Sequence, residues 1–135
     1  MKHIKRILVL GIATLLMACT SYGEKVTYNG TEVYYTEEVT KETADAVGAY
    51  LEEMEFADGS SKSVQITKDS IYNFRMVTQE KYHEDTSMDI SFQALGFLLS
   101  TEVFEGEPIN FVICDNTFTT ARTLYIEGSD AAEEI

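Results

Sequence analysis

The apolar residues of this chain twice pass from a spacing of every second residue to one of every third or fourth and back again. Spacing of two belongs to a half-buried strand, and spacing near 3.6 to a helix with one apolar face. Val26 to Tyr28 and Thr31 to Tyr35 flank Asn29-Gly30, the strongest short hairpin signal, because both turn residues must take positive φ. Thr40 can cap a helix over 40–56, with Ala44, Val47, Gly48, Leu51 and Met54 on one stripe. Ala57-Asp58-Gly59 and two serines end it. Val64 and Ile66, then Tyr72, Phe74 and Met76, alternate with polar residues as two strands around the Lys68-Asp69-Ser70 turn. After a charged connection, Glu80 to Asp85, a second helix is expected over 86–104. Its seam is Met88, Phe92, Leu95, Leu99 and Val103, widened by Leu98. Gly106 and Pro108 stop it. Ile109, Phe111 and Ile113 mark the next strand, Asp115-Asn116 a turn, and Phe118 to Ile126 the last strand.

The order ββαββαββ predicts an α+β domain. Two helices would pack on one face of an antiparallel sheet, in a split βαβ (ferredoxin-like) arrangement with additional terminal strands. Val47, Leu51, Ile66, Phe74, Phe92, Leu95, Leu99, Phe111 and Ile113 are the expected core. The division along the chain is residues 1–18 as a leader, 19–24 as a tether, 25–127 as the single domain, and 128–135 as an acidic flexible tail.

The leader has three parts. Lys2, Lys5 and Arg6 are basic, Ile7 to Ala18 is largely apolar, and a small residue precedes Cys19. A secretory signal peptide has this form, and the apolar run is too short for the roughly 20 residues of a bilayer span. Leu16-Met17-Ala18-Cys19 resembles the lipobox of bacterial lipoproteins. That resemblance covers residues 1–19 only, and Met17 is a less usual occupant of its position. It implies cleavage between Ala18 and Cys19 and a diacylglycerol thioether on Cys19. Membrane lipid, reached through acylated Cys19, is then the first partner. With Thr20 following, the resemblance implies the outer membrane in a Gram-negative cell. In a Gram-positive cell it implies the outer face of the cell membrane.

The formal charge is −13, and removal of Lys2, Lys5 and Arg6 takes it to −16. A body this acidic, with no later Lys/Arg cluster, repels nucleic acid. Acylation of Cys19 would leave Cys114 alone, so no internal disulfide is available and packing must hold the fold.

Catalytic constellations are not found. His83 would be the one histidine left after processing, which excludes His₃ and His₂-carboxylate zinc sites within one chain. No nucleophile elbow, phosphate loop or calcium loop appears. Cys114 follows three apolar residues and precedes Asp115, a setting for an inert buried thiol. No catalytic residue, metal ligand or cofactor site is therefore assigned. Tyr34, Asn73 and Arg75 are the candidate partner surface, because alternation can turn them to a sheet face that the helices leave uncovered. The expected role is a membrane-anchored envelope lipoprotein acting as a non-catalytic protein-interaction or accessory module. The alternatives are an envelope hydrolase using carboxylates and a small-ligand or cation-binding lipoprotein.

Overall fold

The computed structural model describes residues 22–57 and 61–129. Ala18, Cys19 and the rest of the leader lie outside them, as does the tail from residue 130 onward. The elements are β1 (Glu24–Tyr28), β2 (Thr31–Tyr35), α1 (Lys41–Glu53), β3 (Lys62–Lys68), β4 (Tyr72–Val77), a 3₁₀ turn (Glu80–His83), α2 (Asp89–Glu102), β5 (Ile109–Cys114) and β6 (Thr120–Ile126).

Local chemistry sets these boundaries. Asn29 and Gly30 both take positive φ, 46° and 89°, and close the β1–β2 hairpin in register Val26–Val33. The Thr40 hydroxyl accepts from the Thr43 amide at 3.1 Å and caps α1. That helix ends when Glu55 turns left-handed at φ 57° and the Phe56 amide donates back to the Leu51 carbonyl. Phe56 is thereby folded against the core.

The six strands lie in chain order, β1-β2-β3-β4-β5-β6. Three neighbouring pairs are antiparallel, but β2–β3 and β4–β5 are parallel. This corrects the expected antiparallel, ferredoxin-like sheet. Each helix joins two adjacent parallel strands, as a simple βαβ crossover, so no strand is inserted between partners and the βαβ is not split. Element order is identical in the two arrangements, and apolar periodicity carries no information on strand neighbours.

Both helices cover the same face. Val33, Val64, Met76 and Ile113 stand in one cross-strand row, with Tyr35, Ile66, Phe74 and Phe111 in the next. Ala44, Val47 and Leu51 of α1 and Phe92 and Leu99 of α2 bury against this face. The Phe92 ring stacks on Phe111 at 5.4 Å, and Phe74 meets Phe111 at 5.3 Å. Gly48 lets the Tyr28 ring lie against α1, since a Cβ there would sit 2.3 Å from Tyr28 Cδ2. Leu95 is only partly buried, and Leu98 is 37 % exposed instead of widening the seam.

The two crossovers step the same way across the sheet, yet their strand pairs run in opposite directions. With both helices on one face, the crossovers must have opposite hands. One is the common right-handed form and the other the rare left-handed form. A consequence is that α1 ends and α2 begins at the same end of the sheet, where β3 starts and β4 stops. Other boundary differences are small. Glu24 already belongs to β1 and not to the tether. The connection over 80–85 contains the 3₁₀ turn. Phe118 lies outside the last strand, in a left-handed turn at φ 60°.

Candidate ligand cleft and the uncovered sheet face

Tyr34, Asn73 and Arg75 share the sheet face opposite the helices. Register places Lys25, Tyr34, Gln65, Arg75 and Val112 in one row across it, and Thr67, Asn73 and Asn110 in another. The side-chain polar atoms of Gln65, Asn73, Arg75 and Asn110 are engaged. Arg75 Nε donates to Gln65 Oε1 at 3.1 Å, and Nη2 donates to the Phe118 carbonyl at 2.6 Å and to Thr120 Oγ1 at 3.0 Å. Gln65 in turn donates to the Tyr22 carbonyl at 3.0 Å. Asn73 donates to Thr67 and accepts from Asn110. The row therefore acts as a polar brace that pins two segments over the face.

Those segments bring an aromatic triad together. Tyr22, Tyr34 and Phe118 meet edge to face, with centroids 5.1 to 5.8 Å apart. Gly23 makes this possible. At φ 96° it folds the chain back over the face, and a Cβ there would meet the Tyr35 carbonyl oxygen. Cys114 lies beneath the triad's Phe118, fully buried beside Val112. Burial pushes its thiol pKa above the ordinary value, Arg75 opposes that and Asp115 adds to it. A thiol so placed is a packing group and a poor nucleophile.

The triad forms one wall of a cleft of about 680 Å³, within the range of small-molecule sites. The cleft lies at the sheet end where α1 stops and α2 starts. Its second wall is apolar and belongs to the helix-covered face: Phe56, Met76, Met88, Phe92 and Leu95. Between the walls, over the ends of β3 and β4, run Ser61-Lys62-Ser63 and Val77-Thr78-Gln79. Among the described residues Lys62 is the one charged side chain on the lining, and the nearby Glu32 carboxylate is held behind it, accepting from Ser63 at 3.2 Å and from Lys25 at 2.7 Å. Thr78 Oγ1 is buried with no hydrogen-bond partner among the described residues.

Sequence reasoning missed this cleft. Its lining comes from strand and helix ends that the parallel crossovers bring together, and no spacing along the chain marks such a meeting. Among the described residues no three His, Cys, Asp or Glu side chains converge on a possible metal position. His83 Nε2 is buried without a partner among the described residues, and the Asp115 carboxylate is occupied by Thr117 and Thr119. No described helix is long and apolar enough to cross a membrane.

No curated protein and no solved structure matches the chain at a significant level. One family model does match, over residues 25–124, which takes in β2 to β5 whole with nearly all of β1 and part of β6. By that match the chain belongs to the AF_1994_N family, described as a family N-terminal domain.

Proposed function

We propose that this chain is an exported bacterial envelope lipoprotein, held to a membrane through acylated Cys19, whose domain is a non-catalytic binding module. The anchor half of this reading is supported by the basic-apolar-small order of residues 1–18 and by Leu16-Met17-Ala18-Cys19. Two or three acyl chains, at about 0.8 kcal/mol per buried methylene, hold a protein on a bilayer durably. The membrane would be the outer one in a Gram-negative cell and the sole one in a Gram-positive cell.

The observation that carries the binding half is the cleft, a preformed hollow of about 680 Å³ with two apolar walls. It favours a ligand-binding lipoprotein over an interaction module that uses Tyr34, Asn73 and Arg75 as free contacts, because Asn73 and Arg75 already brace the face and Tyr34 is packed in the aromatic triad. Tyr34 keeps a part in recognition as a member of the cleft wall.

Metabolic labelling with an alkyne fatty acid tests the anchor. The wild-type chain should be labelled, cleaved before Cys19 and recovered with membranes. Cys19→Ser should stay unlabelled and uncleaved. Labelling that survives Cys19→Ser, or a wild-type chain recovered with Met1 intact, would overturn the anchor.

A further inference from the structure

The walls of the cleft stand on opposite faces of the sheet. Tyr22, Tyr34 and Phe118 lie on the uncovered face, and Phe56, Met76 and Leu95 on the helix-covered one. A single hollow that touches both must bend over the ends of β3 and β4. A rigid planar ring system cannot follow that bend, whereas a flexible chain can.

Charge narrows the ligand further. Among the described residues no acidic side chain lines the cleft, and the one charged lining residue is Lys62. The Ser61 and Thr78 hydroxyls share the lining with it, and Thr78 Oγ1 lacks a partner among the described residues, whereas Ser63 Oγ is already spent on Glu32 at 3.2 Å. A cationic head would find no counter-charge on the described lining. An anionic head would find an ammonium and hydroxyl donors. Met76 and Met88 supply adaptable walls that suit a floppy apolar chain.

We infer that the cleft binds a single-chain anionic amphiphile of the fatty-acid class, with its head at Lys62 and its tail laid along Phe56, Met76 and Leu95 and bent over the sheet end toward Tyr34 and Phe118. This rests on the anchored binding-module reading above. Under that reading the supply is local: Tyr22, on the cleft wall, is three residues from Cys19, so the cleft lies within about 10 Å of the anchor along the chain.

The test uses the full lipidated chain in phosphatidylcholine vesicles. The probes are a diazirine-bearing hexadecanoate and its hexadecylamine counterpart, with adducts mapped by mass spectrometry. Hexadecanoate should label the Phe56–Met76–Leu95 wall about tenfold more than the amine, the scale of one charge-assisted contact. Lys62→Glu should abolish that preference. Ser91→Trp places a ring from an exposed wall position into the hollow, and should remove labelling by both probes with the circular dichroism unchanged. Equal labelling by the two probes, or a preference that survives Lys62→Glu, overturns the anionic-head assignment while leaving a ligand cleft. Labelling confined to Tyr22 and the tether overturns the inference, since it reports lipid contact alone. If neither probe labels the cleft of a vesicle-bound chain, the binding-module reading falls with it.

Discussion

Arg122 grips Asp89 with two parallel hydrogen bonds, Nη1 to Oδ2 and Nη2 to Oδ1, both 2.9 Å. The same guanidinium donates from Nε to the His83 carbonyl at 2.9 Å and from Nη2 to the Tyr82 carbonyl at 3.0 Å. One side chain on β6 thus fixes the 3₁₀ turn and the first turn of α2, where the helix dipole also favours a carboxylate. The start of α2 is a wall of the cleft, so this latch sets the cleft's shape from the far edge of the sheet.

Arg122→Lys should therefore fail as a conservative change. Lysine keeps the charge but cannot make the fork and reach two carbonyls at once. Arg122→Ala should cost about 2 kcal/mol, from charge-assisted hydrogen bonds lost at a partly shielded site, and Arg122→Lys should recover only a minor part. Urea denaturation midpoints check this. A lysine variant as stable as the wild type would show that the fork is dispensable.

Acid should weaken the fold through the same residue. The hydrogen bond from Arg122 holds the Asp89 carboxyl below its ordinary pKa. Hydrogen bonds from Thr117 and Thr119 do so for Asp115, and those from Ser87 for Asp85. A group with a depressed folded pKa stabilises fully above its unfolded value of about 4. That contribution is lost as the pH falls through the folded values. Thermal melts should be flat from neutral pH down to about 5 and then drop. Asp89→Asn should lower the neutral plateau and shrink the acid drop.

Much of the fold is legible in the chain, and the missing part has a clear physical origin. Asn29-Gly30 fixes the hairpin because few residue pairs accept two positive φ angles. Ala44, Val47 and Leu51, and Phe92 and Leu99, identify the helices because only one helical face can be buried. Neither kind of signal says which strand lies beside which. Val64 reads the same whether its strand runs parallel or antiparallel to β2, so the mixed sheet and its opposite-handed crossovers are invisible at that level. The cleft inherits this blindness. Tyr22 and Leu95 are 73 positions apart and on opposite sheet faces, and they share a hollow only because of the crossovers. For Tyr34 and Arg75 the alternation finds the face correctly. It cannot reveal that Arg75 is spent bracing Gln65 and Phe118.

The distinction between core and cleft wall is testable by truncation. Phe111 is fully buried between Phe74 and Phe92. Phe111→Ala should cost about 3–5 kcal/mol through the cavity it opens. Leu95, although on the same predicted seam, is partly exposed on the cleft. Leu95→Ala should cost well under half as much, because its cavity merges with a hollow that solvent or ligand can enter. Equal losses for the two, read by denaturant titration, would mean that Leu95 is a core residue and that the cleft does not extend to it.

Thiol chemistry joins the fold to the anchor in one measurement. Cys114 is fully buried beside Val112 and Phe118, with the thiol pKa raised by burial, so the native chain should react slowly with iodoacetamide. Phe118→Ala removes a member of the aromatic triad and of the cluster around the thiol, and should speed that reaction by about tenfold or more. The mechanism is local opening, since reaction follows access to the thiolate. Under strong denaturant the count of thiols becomes informative about Cys19. An acylated Cys19 is a thioether and cannot alkylate, so membrane-extracted wild-type chain should release one reactive thiol, and that thiol should map to Cys114. Two reactive thiols would contradict acylation. Fast alkylation of the native wild type would instead contradict the packing of Phe118 over the uncovered face, and would do so whatever the state of Cys19.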